Sequence, residues 1–323
     1  MMHLKRIALP AGFAALAISQ AAAQPAAPVP VARNGEKPRN VILILSDDHR
    51  YDFMGFTGAV PWLQTPALDR MAREGACLKN AFVTTSLSSP SRASILTGLF
   101  THTHTVVDNQ APKPDDLVFF PQYLQQNGYR TAFFGKWHMG NQDDMPQPGF
   151  DHWEGFRGQG TYYNTVLNIN GERVKFDPEL YSTGILTDHA IDFVRDNEEG
   201  PFFIYLSYKS VHSGFQPSPS RKGMYKDEKA VYPPSFNVPE YGIPRLPSKD
   251  ADGRPLAGRG WYGENRLPDW VKNQRESWHG VDYQYHGALP YEEDFRNYCE
   301  TVTSMDDAIG RLLDFLQAEG LGE

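Results

Sequence analysis

An α/β fold with a mostly parallel central sheet sandwiched by helices is predicted by three observations. Short unbroken apolar runs, such as the one from Asn40 to Ser46 and another from Phe202 to Ser207, read as strands buried on both faces. Segments with apolar residues recurring every three and four positions alternate with these runs. Charged and hydroxyl residues gather just after the strands, where sheets of this kind bind ligands.

The elements follow in order. After the strand at 40–46, residues 65–74 read as a helix with Leu68, Met71 and Ala72 on one side. Cys77 to Val83 reads as a second strand, with Cys77 buried in it. A helix is expected from about Pro90 to Leu99, and a shorter one from Phe120 to Gln126, ending at Gly128. Arg130 to Phe134 is a strand, Ser182 to Val194 a helix, and Phe202 to Ser207 a strand. Val302 to Leu316 is helical, with Met305, Ile309, Leu312 and Leu316 in register and Asp306-Asp307 on its solvated face. Residues 214–292 break this rhythm. They are dense in Pro, Gly, Tyr and Trp and read as an ordered, substrate-facing insertion carrying Tyr225, Tyr232, Trp261, Tyr262, Trp270, Trp278, Tyr283 and Tyr285.

The N-terminus reads as an address. Lys5 and Arg6 precede an apolar run from Ile7 to Ile18, and an Ala-Ala-Ala end follows at 21–23. That pattern is a signal peptide cleaved after Ala23, and the run is too short for a spanning helix. Residues 24–37 read as a flexible leader. The chain is therefore expected in the periplasm or secreted, with no stable membrane insertion. Its net charge of −8 speaks against nucleic-acid partners. Two cysteines, Cys77 and Cys299, are too few for a disulfide scaffold and leave their pairing open.

Four clusters carry chemistry. Asp47-Asp48 after the first strand suits a hard cation or a solvated turn. Ser88-Ser89-Pro90-Ser91-Arg92 reads as a helix start, with Ser89 as cap and Ser88 just outside. Such a terminus attracts an oxyanion, and it also fits a capped helix with no ligand. Lys136 and His138, two apart on an extended segment, share a face and can address one anion, or form a surface lysine beside a structural histidine. His212 follows the strand at 202–207 and by itself fits a satisfied histidine.

Taken together, Asp47-Asp48, the eleven-residue block Ser88-x-Pro90-Ser91-Arg92-x-x-x-Leu96-Thr97-Gly98, Gly135-Lys136-Trp137-His138 and His212 resemble type I sulfatases of the alkaline phosphatase superfamily. The resemblance runs from about Arg39 onward and weakens through 214–292. It implies that Ser88, in the position of the signature's Cys or Ser, is converted to formylglycine by a maturase before export. The hydrated aldehyde then attacks sulfur, and its second hydroxyl expels sulfate. Asp47, Asp48 and Ser88 would hold one Ca²⁺, Arg92 would support the hydrated aldehyde, and Lys136 would bind sulfate oxygens. His138 would take the proton that triggers release, and His212 would bind sulfate or protonate the leaving oxygen.

The family also places an Asp with Asn or Gln on the metal, and a Lys on the sulfate, after a later strand. The sequence reaches Glu323 where that strand should begin, so it reads as the N-terminal part of a longer catalytic domain spanning 38–323 here, with the C-terminal part missing. Asp108-Asn109 and Asp196-Asn197 fall too early in the order to serve. The expected activity is hydrolysis of sulfate esters, with sulfated glycans as substrates. The alternatives are a phosphomonoesterase or phosphodiesterase using unmodified Ser88, and an inactive sulfate- or glycan-binding homologue.

Overall fold

The computed structural model describes residues 38–140, 143–232 and 291–322. Six strands form one sheet: β1 (Val41–Leu45), β2 (Arg130–Lys136), β3 (His152–Phe156), β4 (Val166–Ile169), β5 (Glu172–Lys175) and β6 (Phe202–Ser207). Their order is β1-β6-β2-β3-β4-β5. The first four in that order are parallel, and β4 and β5 add an antiparallel edge. The helices are α1 (Pro66–Glu74), α2 (Ser88–Thr97), α3 (Thr101–His104), α4 (Phe120–Gln126), α5 (Ser182–Asp196) and α6 (Tyr291–Ala318).

Alternation along the central strands builds two cores. Phe202, Ile204 and Leu206 of β6 and Ala132 and Phe134 of β2 face Leu186, Ala190 and Val194 of α5 and Met305, Ile309 and Leu312 of α6. Phe203, Tyr205 and Phe133 face the other way, toward Ala93 and Leu96 of α2 and the rings of Trp137 and Trp153. β6 is buried at every position, as its unbroken apolar run predicts, whereas β1, at the end of the strand order, is only partly buried, and β2 buries Thr131 and Lys136 beside its apolar centre.

Several expectations need correcting. Cys77 to Val83 forms no strand, and the stretch is exposed, with Phe82 90% accessible. Its apolar residues lack a sheet neighbour, so the propensity signal found no partner. Cys77 is exposed and Cys299 buried, and both are free thiols. Asp306 does not face solvent. It is 1% exposed, and its two oxygens accept the Ala67 and Leu68 amides at 2.9 and 2.8 Å, capping α1 from outside. Asp307 pairs with Arg221 at 2.6 Å.

Residues 214–232 pack on the domain. Arg221 meets α6 through that pair, and the Gly223 and Tyr225 amides donate to Glu300. Trp261, Tyr262, Trp270, Trp278, Tyr283 and Tyr285 lie outside the described residues, as do the leader segments 1–23 and 24–37. Among the described residues no helix is long and apolar enough to cross a membrane.

Candidate active site

The carboxyl ends of β1, β6 and β2 lie side by side, and α2 points its N-terminus at the same place. The loops after β1 and β6 are stitched by the Asp47 amide donating to the Ser210 carbonyl at 2.8 Å and the Val211 amide donating to the Asp47 carbonyl at 2.7 Å. Gly135, inside β2, is what lets that strand approach β6. A Cβ there would lie 1.9 Å from the Ser207 carbonyl oxygen, and its φ is +107°. Asp48 and His138 both adopt φ near +50°, at 56° and 50°. Non-glycine residues rarely accept this backbone, and it turns both side chains out of strand alternation.

Lys136, the last residue of β2, is fully buried. Its ammonium donates to Asp47 Oδ2, to Ser88 Oγ at 3.2 Å and to Gln159 Oε1 at 2.5 Å. Burial pushes its pKa down to about 8, against the pull of Asp47. Burial would raise the Asp47 carboxyl, but Lys136, Arg92 and His212 outweigh it and hold the group below its ordinary value. Asp48 is half exposed and shifted upward by burial and by the adjacent Asp47 charge.

Ser88 is not outside the helix but is its first residue. Leu87 is the N-cap and makes no side-chain cap. Ser89 does not cap either, because its hydroxyl donates to the His138 carbonyl. The Ser89 amide is satisfied instead by Asn109 Oδ1 at 2.9 Å.

Arg92 is buried one turn in. Its fork donates to the Lys136 carbonyl at 2.7 Å and Ser207 Oγ at 2.6 Å and lies 3.6 Å from Asp47 Oδ1. It therefore ties α2 to the ends of β2 and β6 and faces the metal-type carboxylate.

The two histidines are neutral. Burial, then the charges of Lys136 and Arg92, pull His138 down to about 3, and its buried Nδ1 has no hydrogen-bond partner. Burial and Lys136 pull His212 down to about 4, and its Nε2 lies 3.6 Å from Asp48 Oδ2. All the sequence-selected residues, Asp47, Asp48, Ser88, Arg92, Lys136, His138 and His212, thus belong to one connected cluster.

Asn109, Gln159 and Lys209 also reach this cluster, though spacing did not mark them. Lys209 is 7% exposed, with its ammonium 4.9 Å above the Tyr162 ring. Its signal was its place in the loop after β6. That of Gln159 was its place between two glycines after β3. Asn109 stood out only as part of an Asp-Asn pair too early in the order for the metal, with no sign of its bond to the Ser89 amide. Lys136, Arg92 and Lys209 against two carboxylates leave the cluster suited to an anion.

Asp47 and Asp48 are hard oxygen donors, one kept ionised and already holding an ammonium, so they fit part of a Ca²⁺ shell of six to eight oxygens. Among the described residues no group of three His, Cys, Asp or Glu side chains is placed to hold a metal ion.

A family model described as Sulfatase matches residues 39–323. N-acetylglucosamine-6-O-sulfatase of Bacteroides thetaiotaomicron is 31% identical over 321 residues, covering 88% of this chain and 56% of the relative. An extracellular sulfatase SULF-1 homolog of Drosophila melanogaster is 28% identical over 217 residues, covering 62% of this chain and 19% of the relative. A solved structure in complex with its substrate, D-glucosamine-2-N,6-O-disulfate, superposes with a TM-score of 0.64 at 29% identity, covering 88% of this chain and 63% of that one. The chain thus spans little more than half the length of the Bacteroides relative.

Proposed function

Because the chain belongs to the sulfatase family of the alkaline phosphatase superfamily, we propose that its protein hydrolyses sulfate esters of glycans, with 6-sulfated glucosamines as the first class to test. The observation that carries this reading is the contact of Ser88 with Lys136, which in turn holds Asp47. One hydroxyl at a helix N-terminus, one buried ammonium and one ionised carboxylate meet there, at a sheet's ligand-binding edge. The glycan class is supported by the Bacteroides relative's name and by the sugar in the superposed complex. The leader at 1–23 and the extracellular relative support export.

Formylglycine formed from Ser88 would supply, once hydrated, a nucleophilic hydroxyl and a second hydroxyl for releasing sulfate. Ca²⁺ on Asp47 and Asp48 would supply charge stabilisation at a sulfo oxygen. The remaining work falls to this chain's own groups. Lys136 holds the sulfo oxygens against Ser88. Arg92 keeps Asp47 ionised and fixes the ends of β2 and β6. His138 is neutral with Nδ1 unspent; it stays a weak base until the bound ester's negative charge offsets Lys136 and Arg92, and it then takes the proton, while His212 serves the leaving oxygen.

The test is a desulfation screen of the full-length matured protein against sulfated mono- and oligosaccharides, with Ser88→Ala as control. Sulfate release abolished by the substitution is expected. Release of phosphate from phosphate esters, with none of sulfate, would overturn the reading.

A further inference from the structure

The loop after β3 is fastened at both ends of the active-site cluster. Tyr162 donates its hydroxyl to the His212 carbonyl at 2.7 Å, and Tyr163 does the same to Pro217 at 2.7 Å. At the other end Gln159 Oε1 accepts the Lys136 ammonium at 2.5 Å. Between them the chain turns through Gly158 and Gly160, with φ of 53° and 61°. A Cβ at Gly160 would fall 2.4 Å from the Phe156 ring, so only glycine lets the loop lie this close to the strand. Gln159 is therefore held in place by its backbone as well as by its contact.

The chemistry of that contact fixes which way the amide faces. An ammonium can only donate, so the Gln159 oxygen must point at Lys136 and the NH₂ group must point away. Among the described residues no acceptor meets those two N–H donors. They are half-buried and preoriented, on the same amide whose oxygen meets the ammonium that contacts Ser88. A neutral amide donor there costs less to desolvate than another charge, and it adds direction where Lys136 supplies charge alone.

We propose that Gln159 is a further sulfo-group ligand, donating its Nε2 hydrogens to an oxygen of the bound ester while its Oε1 steadies Lys136. The inference rests on the sulfatase reading and deepens it. It assigns the loop after β3 a part in orienting the reacting group.

Two substitutions separate donation from mere steadying of Lys136. Gln159→Glu keeps an acceptor for the ammonium and loses the donors. Gln159→Met keeps the length and has neither. Inorganic sulfate serves as the probe, through its inhibition of the full-length matured enzyme and its direct binding by calorimetry, with thermal melting to check folding. If Gln159 donates, both variants bind sulfate roughly 10–100-fold more weakly, the loss expected of one hydrogen bond to a charged group, and Gln159→Glu is the worse. If Gln159 only steadies Lys136, Gln159→Glu loses sulfate only through charge repulsion that added sodium chloride screens, and at high salt Gln159→Met is the worse, which overturns the proposal. A parent protein that hydrolyses no sulfate ester, yet loses sulfate through both substitutions, would sink the sulfatase reading and leave Gln159 as an anion ligand.

Discussion

Arg92 shows how one side chain can hold a site without being its reactive group. Its guanidinium is 3% exposed and spans the Lys136 carbonyl, Ser207 Oγ and Asp47. Arg92→Ala would leave Asp47 buried with one cation fewer and two β-strand ends unclamped. Breaking a buried pair in this way costs about 3–5 kcal/mol, so the melting temperature and the activity should fall together. Arg92→Lys should rescue charge but not the fork, and should recover stability only in part. An unchanged denaturation midpoint for Arg92→Ala would remove the clamp. Gly135 makes the complementary point about space. Gly135→Ala drives a methyl into the Ser207 carbonyl, and a loss of more than about 3 kcal/mol by chemical denaturation is expected. Asp47, Ser88, Lys136, His138 and His212 stand out in the sequence because each lies at or beyond a strand end or opens a helix, but only the family resemblance joins them into one site. The bond made by Asn109 was not legible, since nothing local tells a side chain that it will satisfy an amide twenty residues away.

At the scale of elements, legibility followed apolar runs. β1 and β6 are apolar at nearly every position and were plain, and β2 was marked by its central Ala-Phe-Phe, whereas β3 reads His-Trp-Glu-Gly-Phe and hides its strand behind a charge and a glycine. The β4–β5 hairpin was passed over although its Asn170-Gly171 turn is a strong local signal. The β3 glutamate has a consequence for pH. Glu154 is 4% exposed and accepts from His189 at 2.5 Å and His152 at 2.8 Å. Its hydrogen bond raises His189 above the ordinary 6.5, and Glu154 itself is held below 4.5: burial pushes it up, but His152 and His189 prevail. Stability from the histidine is full below pH 6.5 and is lost as pH rises through its raised folded value. Stability from the glutamate is full above pH 4.5 and is lost as pH falls through its lowered folded value. The bridge between α5 and β3 should therefore contribute most between about pH 4.5 and 6.5. His189→Ala should flatten the decline in stability above pH 6.5, read from denaturant midpoints across pH. A parallel decline in both proteins would assign the slope to other groups.

At the scale of the molecule, the sheet order decides the chemistry. Placing β6 between β1 and β2 brings Asp47, His212 and Lys136 to adjacent strand ends, though they are far apart in the chain. That adjacency could be foreseen only through the family resemblance, because periodicity identifies strands and not their order. The proposed sulfatase chemistry requires Ser88 to be converted to formylglycine. Peptide mass spectrometry of the active, full-length protein tests this most directly. The peptide carrying Ser88 should be lighter by two hydrogens, as formylglycine, in proportion to the sulfatase activity of each preparation. Full sulfate-ester hydrolysis by protein whose Ser88 is entirely unmodified would contradict it.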